Sequence, residues 1–240
     1  MPPSSRKAES SSPSRSWLQD ANLPAKLGLQ TNTSSQASIE PFENRTLDPV
    51  VGGFLHRPTN PSGDALILTH GAGGNCQSAL LIAVAEQFVT IGCTVLRCNL
   101  PFRQQRLFGP PRPGDAEPDR EGLKNAVAAI QALVNGRTFL GGQSYGGRQA
   151  SMLCADEPHL VSGLLLLSYP LHPPGKPAQL RTQHLPRLQV PVVFVQGTRD
   201  PFGSIEEMQT ALKLITSPTT LLPVEGVGHD LGFKSRARTG

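Results

Sequence analysis

The chain holds, in the order serine, acid, histidine, three side chains able to run nucleophilic acyl chemistry. The serine is Ser144, in the pentapeptide Gly142-Gln143-Ser144-Tyr145-Gly146. A serine in a strained strand-to-helix turn projects its hydroxyl into the open, and glycines two residues to either side permit close chain approach. A helix opening at Ser144 would aim backbone N–H groups at an oxyanion formed there. The Tyr145 N–H is the natural first donor. The competing reading is a glycine-rich turn with an incidental serine.

A hydroxyl alone is a poor nucleophile; it needs a base, and the base needs an orienting acid. In a parallel sheet of this kind the acid and histidine follow the serine, each after a later strand. "VPVVFVQG" (190–197) leads into Asp200, and "TTLLPVEG" (219–226) leads into His229. Asp230 adjoins His229, so its side chain should diverge from the imidazole. Glu225 serves only if the last loop folds back, and Asp156 lies at the far end of the serine helix. Solvated loop residues are the competing readings of Asp200 and His229.

"LTHGAGGN" (68–75) ends an earlier strand. A dinucleotide fingerprint fails there, because Cys76 stands at the third glycine position and no acid follows the next strand. A phosphate loop fails for want of Gly-Lys-Ser/Thr. The better reading is a turn beside the serine turn, with the Ala72 N–H as second oxyanion donor and His70 shaping the loop. Cys76, Cys93, Cys98 and Cys154 match no metal spacing. They read as reduced and structural, so neither cofactor nor metal is expected. His56 and His159 lie where nothing else converges.

Strands and helices alternate from residue 47 onward. Apolar runs at 50–58, 64–71, 93–100, 137–142, 161–170, 190–197 and 219–226 read as strands. Helical spacing marks 75–92, 117–136, 144–158 and 204–216. Such alternation implies a mostly parallel sheet with helices on both faces. Functional groups then belong at the carboxyl ends of the strands.

Residues 1–40 contain ten Ser and four Pro and cannot bury enough apolar surface to offset chain entropy. They read as a disordered tail, with the ordered domain spanning 41–240. The net charge of +4 comes from scattered basic residues, so no nucleic-acid partner is expected. No apolar run reaches membrane-spanning length. The start of the chain lacks a secretory pattern, and a cytoplasmic location is expected.

"THGAGGN", "LRCNLPFRQQ", "GGQSYGGRQAS", "LSYPLHPPGKP", "RTQHLPRLQVPVVFVQGTRDPFG" and "GVGHDL" together resemble the α/β-hydrolase superfamily. The resemblance, over about 50–233, is to the dienelactone-hydrolase-like branch that includes the KANL3/Tex30 type. It implies an α/β-hydrolase fold with an eight-stranded sheet and no large lid domain. Ser144, Asp200 and His229 match the nucleophile, acid and base positions. The implied activity is that of a serine hydrolase on a carboxylic ester or related acyl bond of a small molecule. Dienelactone hydrolases proper use cysteine where Ser144 stands, which argues against a dienelactone substrate. The alternative is a non-catalytic, hydrolase-like interaction module.

The usual final helix has little room after His229. That sheet face is expected to be covered by the N-terminal segment or to meet a protein partner. The short, proline-rich connection 171–190 implies an open pocket, with His172 and His184 at its mouth and the 102–118 loop as another wall. His172 and Arg103 are candidates for substrate contact. Arg103, Arg106, Arg112 and Arg148 could together favour an anionic substrate. Solvated arginines, with Arg148 bracing its loop, are the favoured alternative.

Overall fold

A computed structural model describes residues 37–233. Most of the expected tail, residues 1–36, lies outside them. The expectation of an uncovered face after His229 depends on that segment and on 234–240, also outside.

The elements run β1 (Ser38–Asn44), β2 (Val51–Arg57), β3 (Ala65–Thr69), α1 (Ala79–Thr90), β4 (Thr94–Cys98), α2 (Pro101–Gln105) and α3 (Ala116–Gln131). They continue with β5 (Thr138–Gln143), α4 (Tyr145–Asp156), β6 (Gly163–Leu167), a 3-10 turn (Leu185–Arg187), β7 (Val192–Gly197), α5 (Ile205–Leu212) and β8 (Thr219–Val224). The eight strands form one sheet in the order β1-β2-β4-β3-β5-β6-β7-β8. β1 and β2, and β2 and β4, pair antiparallel; every later pairing is parallel. This is the α/β-hydrolase arrangement that the sequence implied.

Strand composition follows position. β3 is ALILT and β6 is GLLLL, and every residue of both is buried. A strand covered on both faces has no need of polar alternation. The step from β3 to β4 runs one way along the sheet, and the steps from β4 to β8 run the other. Right-handed crossovers therefore set α1 on one face and α3, α4 and α5 on the other. The reversal lies between β3 and β5, so their carboxyl ends open a crevice there.

Helix ends obey local chemistry. Ser204 and Glu207 form a reciprocal capping box at α5. Glu117 and Asp119 occupy the first turn of α3, where the helix dipole favours negative charge.

Two elements differ from the sequence reading. β1 begins at Ser38, inside the expected tail, and pairs along its length with β2. Its burial is slight, so apolar patterning gave no signal; backbone pairing with β2 holds it. The 102–118 loop begins with a short helix, because Pro101 at its first turn presets the backbone.

The connection after β6 carries no inserted domain. Leu185 and Leu188 are fully buried and press it onto the core. The Tyr169 hydroxyl donates to the Arg181 carbonyl at 2.9 Å, and the Tyr169 ring meets Phe194 edge-on at 5.6 Å. Phe194, on β7, has no solvent exposure. Replacing it with alanine should cost about 3–5 kcal/mol, read as a lower denaturant midpoint at unchanged slope.

Candidate active site

β5 delivers Ser144 to the crevice through a turn that only a particular set of residues permits. Ser144 adopts φ 50° and ψ −116°, a conformation rare outside glycine. Its N–H is tied to the Leu167 carbonyl at 2.8 Å, and its carbonyl accepts from the Arg148 N–H at 2.9 Å. A Cβ on Gly146 would lie 2.4 Å from the His70 carbonyl oxygen; one on Gly142 would lie 2.7 Å from the Gly147 nitrogen. Both glycines are therefore required by close backbone approach.

β7 and β8 supply the other two side chains. His229 Nε2 lies 2.8 Å from Ser144 Oγ, and His229 Nδ1 lies 2.8 Å from Asp200 Oδ2. The Asp200 side chain is fully buried. Oδ2 also accepts from Gln196 Nε2 at 3.0 Å, and Oδ1 accepts from the Phe202 N–H at 2.9 Å. Those bonds satisfy a carboxylate that burial would otherwise destabilise. Facing it, Nδ1 carries the proton, which leaves the Nε2 lone pair toward the serine hydroxyl. Phe202 stacks on the imidazole at 4.1 Å between centroids. Residues far apart in sequence thus meet at one rim of the sheet.

Ser144 and His229 open into a cavity of about 1230 Å³, which Ala72 and Tyr145 also line. The Ala72 and Tyr145 N–H groups are not spent on backbone acceptors among the described residues. His70 is fully buried beneath this loop. Its Nδ1 donates to the Gly71 carbonyl at 2.8 Å, and its Nε2 accepts from the Leu100 N–H at 3.2 Å. Burial holds its pKa at about 4; the Gly71 bond opposes the shift and the Arg103 charge adds to it. His70 is a neutral structural imidazole, the role expected for it.

The model of the alpha/beta hydrolase domain family matches residues 62–240. The chain belongs to that family. Its fold is similar to that of a dienelactone hydrolase from Anabaena variabilis at 19% identity, TM-score 0.64, over 84% of this chain and 91% of that one. It is also similar to an alpha-beta serine hydrolase homologue from Coxiella burnetii at 20% identity, TM-score 0.63, over 79% and 88%. A Xanthomonas campestris protein described as a serine hydrolase without lid matches at 15% identity, TM-score 0.62, over 83% and 88%.

Several side chains of this alpha/beta hydrolase do not stand where sequence placed them. Arg103 is buried and does not line the cavity. Its guanidinium donates to the carbonyls of Ala72 at 2.8 Å, Gly74 at 2.8 Å, Gly109 at 2.9 Å and Arg106 at 3.1 Å. It ties the 72–74 turn to the 106–109 loop, with four of its five donors taken by carbonyls. His172 is buried too. Its ring binds the Pro173 carbonyl at 2.8 Å and Glu207 at 3.3 Å, away from the cavity. Arg106 pairs with Asp115.

His184 lies under the mouth, with Nε2 2.8 Å from Ser151 Oγ. Sequence reading missed this second serine–histidine pair. Both residues are buried, and neither lines the cavity. Ser151 donates its own proton to the Arg148 carbonyl at 2.9 Å, so His184 donates to Ser151 and cannot activate it. Sequence also gave no sign of Gln196, which depends on strand register. Phe202 lies within the quoted "RDPFG" motif and could have been found there.

No helix among the described residues is long and apolar enough to cross a membrane. None of their His, Cys, Asp and Glu side chains cluster in a group of three suited to a metal. All four thiols are free and buried. Burial pushes Cys93, Cys98 and Cys154 up to about 12.

Burial likewise lowers His56 and His184 to about 4, aided by Arg97 and by Arg148 with Arg187. With His70, three imidazoles stay neutral in the fold where the unfolded chain protonates them near 6.5. Between those values the unfolded state binds more protons, so stability falls as pH drops. The melting temperature should decline from pH 6.5 toward pH 4, and replacing His184 with glutamine should flatten part of that slope.

Proposed function

We propose that the protein is a serine hydrolase that cleaves a carboxylic ester or related acyl bond of a small molecule through an acyl-enzyme. The observation that carries this reading is one imidazole bridging Ser144 Oγ and Asp200 Oδ2, at 2.8 Å to each. Ser144 Oγ attacks the substrate carbonyl carbon while its proton passes to His229 Nε2. Asp200 holds the tautomer and stabilises the imidazolium without taking a proton. The carbonyl oxygen becomes an oxyanion held by the Ala72 and Tyr145 N–H groups. Loss of one such donor typically costs about 3–4 kcal/mol of transition-state stabilisation.

Collapse of this intermediate breaks the bond to the leaving group, which takes the proton from His229. Water then attacks the acyl-enzyme, giving its proton to Nε2. The carboxylic acid departs, and Ser144 regains its proton. Every proton is accounted for by His229.

Arg103 acts on this site at a distance. It fixes the carbonyls of Ala72 and Gly74, while the Gly71 carbonyl, in the same peptide plane as the Ala72 N–H, is held by His70 Nδ1 and the Gly74 N–H. The dienelactone-hydrolase-like placement is consistent with the Anabaena variabilis likeness in fold, while the serine at the nucleophile position supports an ordinary ester.

A fluorophosphonate probe should label the wild-type protein and not Ser144→Ala, with equal melting temperatures for both. Asp200→Asn should retain the fold and lower kcat on p-nitrophenyl butyrate about 10⁴-fold. A wild-type protein that resists the probe and turns over no ester in a panel would sink the enzyme reading in favour of an interaction module.

A further inference from the structure

The cavity beside Ser144 carries two guanidinium groups, on Arg148 and Arg181. Arg148 sits one turn into α4, where residues four apart stand about 5–6 Å from each other at Cβ. Its Nε is buried without a hydrogen-bond acceptor. Among the described residues its side chain forms no ion pair. Arg181 comes from the connection after β6. Among the described residues its side chain reaches only the Pro170 carbonyl, at 3.3 Å, while its N–H and carbonyl are fixed by Leu171 and Tyr169.

The other charged or titratable side chains lining the cavity are Tyr145, His229 and Asp230; the Tyr145 hydroxyl donates to Asp119 at 2.8 Å. His229 is engaged by Ser144 and Asp200. Asp230 accepts from the Gly232 N–H at 3.0 Å. Three other arginines near this region are engaged by the protein: Arg103 by four carbonyls, Arg106 by Asp115, Arg187 by Asp156. Burial, and then the charge of Arg148, disfavour the charged form of Arg181. Two like charges facing one cavity, with no ion-pair partner among the described residues, repel, and an anion that enters offsets that cost.

We propose that Arg148 and Arg181 form an oxyanion-binding subsite, so that the ester accepted here carries a carboxylate or phosphate-like group a few bonds from the cleaved carbonyl. The inference rests on the hydrolase reading for the bond that is cut, and on the two unpaired guanidiniums for the charge. It differs from the sequence analysis, which raised Arg103, Arg106, Arg112 and Arg148 together as an anion-favouring group but favoured solvated arginines, and which did not single out Arg181.

Binding to the Ser144→Ala protein tests this without turnover. Calorimetric titration should compare monoethyl adipate, ethyl 4-phosphonobutanoate and the neutral diethyl adipate. At least one anionic ester should bind about tenfold more tightly than the neutral one, as charge-assisted bonds to arginine allow. Which anion wins identifies the source. The preference should fall in Arg148→Gln and in Arg181→Gln, and return in part with lysine at either position. Comparable melting temperatures of the lysine variants guard against misfolding. Equal binding of charged and neutral esters would overturn the proposal, as would a preference that survives in both glutamine variants. Failure of the hydrolase reading shows separately, as a wild-type protein that the fluorophosphonate probe does not label.

Discussion

One backbone contact governs the site. The chain after β3 crosses the start of α4 so closely that a Cβ on Gly146 would meet both the His70 carbonyl oxygen, at 2.4 Å, and Thr69 Cγ2, at 2.6 Å. This approach sets the two loops at the strand-order reversal side by side. It brings Ala72 and Tyr145 to the same cavity as Ser144. Ser144 itself bears a backbone conformation costing on the order of 1–3 kcal/mol. Buried strands on both sides of β5 hold it there.

The contact would be soft without a brace. The 71–75 turn is Gly-Ala-Gly-Gly-Asn, with almost no side chain to pack. Two buried polar groups replace packing: His70 from below and Arg103 from beside. A neutral imidazole suits the first task, since it offers one donor and one acceptor to two backbone groups. A guanidinium suits the second, since its fixed fork of donors spans several carbonyls at once. The helix that carries Arg103 starts at Pro101 and is anchored by Asp119, which accepts from the Phe102 N–H and the Tyr145 hydroxyl. Asp119 thus joins the Arg103 helix to the serine helix.

The sheet was legible because its central strands are apolar throughout and separated by helices of the right length. The order of Ser144, Asp200 and His229 was legible because each follows a strand or opens a helix. β1 was hidden, since an edge strand is held by backbone pairing and needs no apolar pattern. Arg103 and His172 were misread for one reason. Sequence shows that a charged residue lies in a loop, but not which carbonyls the folded loop turns toward it. Arg181 was passed over because a proline-rich connection has no period from which to infer facing. Its position comes from Tyr169 gripping the backbone carbonyl.

The two serine–histidine pairs show why residue type does not fix the direction of a hydrogen bond. Ser144 and Ser151 lie seven residues apart, one capping α4 and the other within it, and each stands 2.8 Å from an imidazole Nε2. At Ser151 the helix backbone takes the hydroxyl proton, so the imidazole must act as donor. Burial and the nearby arginines then keep His184 neutral, and no carboxylate among the described residues bonds its other nitrogen. At Ser144 the backbone has turned away, and no carbonyl among the described residues competes for the hydroxyl. Asp200 fixes the proton on the far nitrogen of His229, leaving a lone pair toward the serine. The difference arises from the turn: a residue ahead of the helix has no preceding helical carbonyl to satisfy, whereas one inside it does. That freedom, which the close approach at Gly142 and Gly146 permits, leaves the Ser144 hydroxyl to His229.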